Sequence, residues 1–304
     1  MSPEFISRRQ FVASTALAVA GISLGAVEIP QSKSPFKIIC FVKPFQNLSF
    51  DQIADIAAEV GWTGVEVPVR KDGTIEPKRA EEELPKLVDA LAKRKIELST
   101  IATDIEDADD PMSRKLLTIA AKLGIPRYRV KHLRYDLKKA IPRQLEVFRS
   151  KFRGLAELNK ELKLQGTVQN HSGGNYLGGP VWDIWELLRG LDPQNMAIYF
   201  DIGHATVEGG TSWPLQVKLM ESQFGTISVK DFTWQKSSKP GNKWQTEWCP
   251  LGSGMIHPDF FTSLKTTNYR GPISQHFEYE VGAGREMIAK MKRDFEELTK
   301  WIAS

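Results

Sequence analysis

Short apolar runs alternate with longer amphipathic stretches along most of the chain. Eight of the runs are rich in β-branched and aromatic residues and are too short for helices, which is the pattern of buried strands. They occupy residues 37–42, 64–69, 96–102, 127–132, 164–170, 196–202, 226–231 and 273–279. Apolar residues between them recur at helical spacing. These stretches predict helices at residues 50–61, 84–95, 113–124, 141–162, 181–191, 214–225, 257–267 and 285–304.

The alternation of strands and helices predicts the fold class. Strands separated by helices imply a parallel sheet, and eight such units in a chain of 304 residues are typical of a closed (β/α)₈ TIM barrel. We expect a single domain over residues 35–304. A doubly wound open sheet is the alternative, but it usually has fewer units, and no G-x-G-x-x-G follows the first strand. The one long connection runs from Phe232 to Ile256.

The first thirty residues read as a targeting segment rather than as part of the fold. Arg8 and Arg9 precede Phe11 and an apolar run of small residues that is too short to span a bilayer. The arrangement resembles a twin-arginine export signal followed by a linker over residues 1–30. It predicts a periplasmic or extracytoplasmic location. An ordinary secretory signal with two chance arginines is the alternative.

Charge, hydropathy and cysteine content exclude several classes of partner. The formal net charge is +4 without a long basic run, so nucleic acid is not implied. No segment after the signal has the length and apolarity of a membrane helix. The two cysteines, Cys40 and Cys249, lie far apart and form no metal-binding motif. We therefore expect a small-molecule partner, and an oligomer is compatible with the sequence.

Polar residues at the ends of the predicted strands are the candidate reagents. In a barrel these ends gather at one mouth, where the chemistry of such folds takes place. Strands buried on both faces should be apolar, so titratable residues there need an explanation. In the last strand three of them, His276, Glu278 and Glu280, share one side if the strand is regular. The whole ring comprises Glu66, Gln169, His171, Asp201, His204, Lys230, His276 and Glu278.

Structural roles compete with functional ones at several of these positions. Glu66 could be bonded to backbone or to Arg70, and Asp201 could cap the next helix. Lys230 could face solvent, and the stretch around His171 could be an ordinary turn before the flexible Ser-Gly-Gly segment. Carboxylate, amide and imidazole groups together are nevertheless ligands that divalent cations favour.

Motifs at three strand ends resemble a known family. These are Asp-Ile-Gly-His at 201–204, Val-Lys-Asp at 229–231 and Phe-Glu-Tyr at 277–279. In this order, one per strand end, they resemble the sugar phosphate isomerase/epimerase family with a xylose isomerase-like TIM barrel. The similarity covers essentially all of the chain after the signal. It is greatest to secreted members with Gln-Asn-His-Ser-Gly at 169–173 and His-x-Glu-Tyr at 276–279.

The resemblance implies one divalent metal, such as Mn, Zn, Co or Mg. The family holds it with Glu, Asp, His and Glu from strands five to eight. Asp201 and Glu278 match this pattern, whereas Gln169 replaces the first Glu and Ser228 replaces the His. The predicted metal ligands are therefore Asp201, Glu278 and Gln169, and the two replacements set this chain apart from the family pattern.

The resemblance also implies an enzyme that abstracts a proton beside a carbonyl of a sugar or keto-sugar. We expect catalytic roles for Glu278, His204 and Lys230, with Glu278 as general base. The residues expected to bind the sugar are Glu66, His171, His276 and Trp234. One alternative is a lyase or hydratase that acts on an oxidised sugar. Others are a non-catalytic secreted sugar-binding barrel and a nuclease of the abasic-site type, which five histidines and an export signal disfavour.

Overall fold

Eight parallel strands form a closed barrel. This computed structural model describes residues 35–238, 241 and 243–304, so the predicted export signal lies outside the described residues. The first seven barrel strands are β1 (Ile38–Phe41), β2 (Gly64–Val69), β3 (Glu97–Thr103), β4 (Arg127–Arg129), β5 (Gln165–Gln169), β6 (Met196–Asp201) and β7 (Phe224–Val229). A hairpin of β8 (Asp231–Lys236) and β9 (Trp244–Cys249) follows, and β10 (Ile273–Gln275) closes the ring between β7 and β1. The predicted single-domain TIM barrel is confirmed.

Helices follow the barrel strands and cover the outside of the ring. They are α1 (Phe50–Val60), α2 (Ala80–Ala92), α3 (Pro111–Lys122), α4 (Ile141–Leu162), α5 (Trp182–Leu188), α6 (Ile202–Gly209), α7 (Trp213–Met220), α8 (Asp259–Lys265) and α9 (Gly284–Ala303). The prediction missed α6, and it extended the helix at 214–225 into the start of β7. None of the described helices has the length and apolarity that a membrane crossing requires.

Local sequence explains why these elements form where they do. β2, β6 and β7 are buried along their whole length, as expected for parallel strands covered by helices. At the start of α1 a capping box joins Ser49 and Gln52, each side chain accepting the backbone N–H of the other residue. The helix ends at Gly61, whose φ of 104° is left-handed and suits glycine.

The hairpin of β8 and β9 occupies the connection in which the sequence predicted no regular element. Its strands pair antiparallel from Asp231 opposite Cys249 to Lys236 opposite Trp244. The carboxylate of Asp231 accepts the backbone N–H groups of Gly252, Gly254 and Ile256, and so ties the end of the connection to its start.

The last barrel strand is shorter than predicted. Its pairs with β1 and β7 end at Gln275, so His276 and Glu278 lie in the loop after the strand. Of the three residues predicted to share one side, His276 and Glu278 do so, whereas Glu280 lies apart because the strand has ended. Glu280 is exposed and accepts the N–H of Gly282.

Candidate active site

A polar cavity of about 370 Å³ opens at the carboxyl ends of the barrel strands. Its walls carry four cationic side chains, four histidines and one carboxylate. The lining residues are Phe41, Lys43, Arg70, Arg129, His132, Gln169, His171, Ser172, His204, Lys230, Thr246, Trp248, His276 and Glu278. The volume lies at the low end of the roughly 300–1,000 Å³ typical of small-molecule sites. The cavity therefore suits a ligand of about monosaccharide size.

Glu66 lies beneath the cavity as a structural anion. Its side chain is fully buried, with Oε1 2.9 Å from Arg129 Nε. Tyr199 donates to Oε2, and Ser274 donates to the same oxygen at 3.0 Å. Burial alone would raise the pKa of Glu66, but Arg129, His276 and Tyr199 outweigh it and lower the pKa to about 2. Glu66 was predicted to bind the sugar; it fixes Arg129 and does not line the cavity.

Asp201 is a second buried carboxylate and caps a helix at the same time. Oδ1 accepts the backbone N–H of His204 at 2.9 Å. Asp201 therefore caps the following helix, which was the alternative role that the sequence suggested for it. Oδ2 lies 3.1 Å from Lys230 Nζ and accepts from Gln169 Nε2 at 2.7 Å. Burial opposes ionisation, yet Lys230 and His204 hold the pKa of Asp201 well below its ordinary value. Asp201 therefore remains ionised and anchors Lys230.

Lys230 projects over the cavity between three partners. Besides Asp201, its Nζ donates to His204 Nε2 at 2.8 Å and lies 4.6 Å from the centre of the Trp248 ring. Gly203 makes this arrangement possible, since a Cβ there would lie 2.9 Å from the Lys230 side chain. An ammonium group has three N–H donors, and two of them serve Asp201 and His204. The third remains for a ligand oxygen.

The histidines of the wall are neutral at physiological pH. Burial and then Lys230 lower the pKa of His171 to about 4, and the same two causes hold the pKa of His204 far below its ordinary value. His204 accepts from Lys230 at Nε2, so its Nδ1–H donates to Ser172 Oγ at 2.8 Å. The Nδ1–H of His171 donates to the backbone carbonyl of Ser172, 2.8 Å away. His171 Nε2 is then a free acceptor.

Glu278 is the one acidic side chain among the described residues of the cavity wall. Its Oε2 lies 2.8 Å from Lys43 Nζ. Burial tends to raise the pKa of Glu278, but Lys230 and Lys43 lower it below its ordinary value. Glu278 is therefore a carboxylate at neutral pH, which is the protonation state of a general base.

The predicted metal ligands are paired with protein groups. Both oxygens of Asp201 accept hydrogen bonds, and the Gln169 carbonyl accepts from the Arg129 guanidinium. The cation beside Asp201 Oδ2 is the Lys230 ammonium, 3.1 Å away. No group of three His, Cys, Asp or Glu among the described residues could hold a metal ion. The groups around Asp201 are thus arranged for the protein's own cations, Lys230 and Arg129, and do not fit a divalent metal.

The structure brings most of the predicted residues together. Gln169, His171, His204, Lys230, His276 and Glu278 line one cavity. His276 is nearly buried, and its Nε2 lies 2.9 Å from the Tyr199 hydroxyl. Trp234 is 44% exposed and does not line the cavity, whereas Trp248 from the opposite strand of the hairpin does. Trp248 is paired opposite Phe232 next to the barrel, whereas Trp234 lies two pairs nearer the tip of the hairpin, and the sequence did not reveal this pairing.

Several wall residues were not predicted. Arg129 ends β4, and His132 follows that strand within the predicted run 127–132. They are three positions apart, so strand alternation would have placed them on opposite faces and does not indicate that both reach the cavity. Lys43 and Arg70 lie just beyond β1 and β2, where a charged residue also suits solvent. The sequence positions of these two residues therefore do not show whether they face the cavity or the solvent.

The barrel, the cavity at its mouth, and the carboxylate and cations of the cavity wall are together those of an enzyme-like (β/α)₈ protein. The chain belongs to the xylose isomerase-like TIM barrel family, whose model matches residues 54–302. No curated protein matches the sequence significantly.

Solved structures share the fold at low sequence identity. A D-psicose 3-epimerase from Clostridium cellulolyticum H10, solved with D-tagatose, superimposes with a TM-score of 0.68 at 12% identity, over 88% of this chain and 99% of that one. A probable 3-DHS dehydratase from Bacillus anthracis, involved in petrobactin synthesis, gives 0.66 at 16%, over 87% and 99%. A xylose isomerase domain protein from Alicyclobacillus acidocaldarius gives 0.67 at 16%, over 88% and 98%. This similarity establishes the fold, and the reaction has to be inferred from the residues of the site.

Proposed function

We propose that this protein is an isomerase- or epimerase-type enzyme that removes a proton from the carbon beside a carbonyl of a sugar or keto-sugar. The observation that carries the proposal is the composition of the cavity wall. One carboxylate, Glu278, shares a cavity of about 370 Å³ with the ammonium of Lys230. A base and a fixed cation in one small site are the two groups that enolisation requires.

Glu278 is the general base of the proposed reaction. It removes the proton from the carbon, and the negative charge develops on the carbonyl oxygen. Lys43, 2.8 Å from Oε2, holds the carboxylate in place and keeps it ionised. The same carboxyl group then returns the proton to the neighbouring carbon in an isomerisation.

Lys230 stabilises the oxyanion that forms. Its third N–H is available to the substrate oxygen, and Asp201 keeps the ammonium in place without reorganisation during the reaction. His204 orients the same ammonium through Nε2. In this proposal Lys230 acts where the family pattern has a metal, and no step uses the predicted divalent ion.

A one-base reaction suits the site better than a two-base epimerisation. Gln169 stands where the family pattern has a second carboxylate, and an amide cannot take up a proton from carbon. Its amide nitrogen donates to Asp201 at 2.7 Å, so it serves as a spacer between Asp201 and Arg129. Isomerisation returns the carbon-bound proton with the same group that removed it, while the hydroxyl proton passes to the former carbonyl oxygen beside it, so Glu278 is the one base that carbon requires.

β-Elimination on an oxidised sugar is the second candidate. It begins with the same proton abstraction by Glu278 and differs in that a leaving group departs from the next carbon. The Glu278 carboxyl then gives the abstracted proton to the departing oxygen, which leaves as water, so the elimination needs no second acid. The third candidate is a binding protein without catalysis.

The test is incubation of the purified protein with a panel of sugars and 3-keto-sugars, followed by NMR analysis of the products. An isomer supports the main proposal, and an unsaturated or dehydrated product supports the lyase. Tight binding without any product would leave only the binding protein. The predicted export by the twin-arginine pathway concerns residues outside the described part and stays a prediction, which fractionation of expressing cells tests.

A further inference from the structure

Arg129 has one donor more than the protein uses. Its Nε lies 2.9 Å from Glu66 Oε1, and its Nη1 donates to Gln169 Oε1. The remaining nitrogen, Nη2, is buried and has no hydrogen-bond partner among the described residues. The residue as a whole is 3% exposed and belongs to the cavity wall. A buried guanidinium edge without an acceptor indicates that an acceptor arrives with the ligand.

Arg70 brings a second guanidinium to the cavity wall. Both groups lie against the ring of Phe41, with Cζ 6.0 Å from its centre for Arg70 and 4.8 Å for Arg129. Among the described residues Arg70 forms no ion pair and no side-chain hydrogen bond. Burial first, and then the charge of Arg129, lower the pKa of Arg70. The two cations are thus close enough to repel each other.

The acids around the cavity do not balance this charge. Glu66 pairs with Arg129, Asp201 with Lys230 and Glu278 with Lys43. Asp104, the further acid near Arg70, is exposed and accepts the backbone N–H of Lys71 at 3.0 Å. Each of the other three wall cations therefore has a carboxylate in contact, and Arg70 does not.

We propose that Arg70 and Arg129 form an oxyanion clamp, so that the substrate is a sugar derivative carrying a carboxylate or a phosphate group. The inference rests on the proposed function for the reaction itself and adds the chemical class of the substrate. A guanidinium presents parallel N–H donors that match the two oxygens of a carboxylate or phosphate. An anion between the two groups satisfies Arg129 Nη2 and removes their mutual repulsion.

The clamp also agrees with the size of the site. A cavity of about 370 Å³ accommodates one sugar ring with a small charged substituent. The cations Lys230 and Lys43 are engaged at the reacting groups. Arg70 and Arg129 are therefore free to act on the non-reacting part of the substrate, where binding energy positions the carbonyl.

The experiment measures binding by calorimetry for three matched probes: glucose, glucuronate and glucose 6-phosphate. We expect at least one anion to bind about tenfold or more tightly than glucose, and the stronger of the two identifies the charged group. In Arg70→Gln this preference falls about tenfold while glucose binding is unchanged. Arg153→Gln, an exposed arginine on α4, serves as the matched control and keeps the preference.

Two results would overturn the clamp. One is equal affinity of the wild-type protein for all three probes, and the other is an equal loss for all three in Arg70→Gln. Binding does not need turnover, so Glu278→Gln should retain the anion preference. If the protein prefers the anionic probes but catalyses no reaction, only the proposed function is contradicted. If it converts neutral sugars and shows no preference for the anionic probes, only the clamp is contradicted.

Discussion

Lys230 and Asp201 form a buried ion pair, with Nζ 3.1 Å from Oδ2, at the point where β6 and β7 meet the cavity. Both side chains are almost inaccessible to solvent, at 4% and 0% exposure. A buried pair of this kind contributes little net stability compared with apolar residues, but removal of one partner leaves an uncompensated charge. The pair is therefore better explained as a device that fixes the ammonium for catalysis.

The stability of variants tests this explanation of the pair. Lys230→Met should lower the free energy of unfolding by about 3–5 kcal/mol, because Asp201 would remain buried without its cation. The double variant Asp201→Asn, Lys230→Met should recover most of that loss in urea unfolding and remain inactive. A double variant that is as unstable as the sum of the two single variants would contradict this explanation.

Acid should destabilise the protein through Glu66. Its pKa falls from 4.5 to about 2 on folding, so the folded state favours the carboxylate. The stabilisation is present above the unfolded pKa and is lost as the pH falls from about 4.5 towards 2, with a total of roughly 3 kcal/mol. Urea unfolding of Glu66→Gln should show a flatter dependence over this range. Glu280→Gln, an exposed acid, should keep the steep loss, and equal slopes for both variants would contradict the assignment.

The ring of His171 should stay neutral well below pH 6.5. Its pKa is lowered to about 4, first by burial and then by Lys230. In NMR its ring resonances, assigned by comparison with His171→Gln, should not shift between about pH 8 and 5.5. A midpoint near the ordinary value of about 6.5 would show that His171 is solvated and lies away from Lys230.

Metal analysis should find much less than one divalent ion per chain. Asp201 and Gln169, two of the three predicted ligands, are paired with Lys230 and Arg129 instead. Chelator treatment should therefore leave turnover unchanged. One equivalent of zinc, manganese, cobalt or magnesium, with turnover lost on chelation and restored on its return, would contradict the pairing.

The two tryptophans of the hairpin should differ in their effect on ligand binding. Trp248 lies over Lys230 in the cavity wall, whereas Trp234 is exposed and outside it. Trp248→Ala should weaken sugar binding about tenfold, because stacking and the cation–π contact are lost. Trp234→Ala should bind as the wild type does. Equal effects in calorimetry would place the ligand elsewhere on the hairpin.

The sequence predicted the barrel well because its signals are local. Runs such as 64–69 are apolar over a strand length, and in the structure β2 has those bounds. The strand ends also indicated six of the fourteen residues of the cavity wall, since parallel strands bring their carboxyl ends together. Asp201 and Lys230 are 29 residues apart in sequence, yet the rule for barrels placed them at one mouth.

Pairing between side chains was beyond the reach of the sequence. The partner of Glu66 is Arg129 from β4, whereas the sequence suggested its neighbour Arg70. The hairpin places Trp248 opposite Phe232, next to the barrel, and Trp234 two pairs nearer its tip, so Trp248 rather than Trp234 reaches the cavity. Such long-range contacts depend on three-dimensional packing and leave no periodic signal.

The most direct measurement of the central claim is solvent deuterium exchange into substrate. The wild-type protein in heavy water should incorporate deuterium at the carbon beside the carbonyl of at least one sugar or keto-sugar. Glu278→Gln should lose this exchange by about a hundredfold or more while its circular dichroism is unchanged. Glu280→Gln, two residues further on and exposed, should exchange as the wild type does. Full exchange in Glu278→Gln would contradict the claim that this carboxylate is the base.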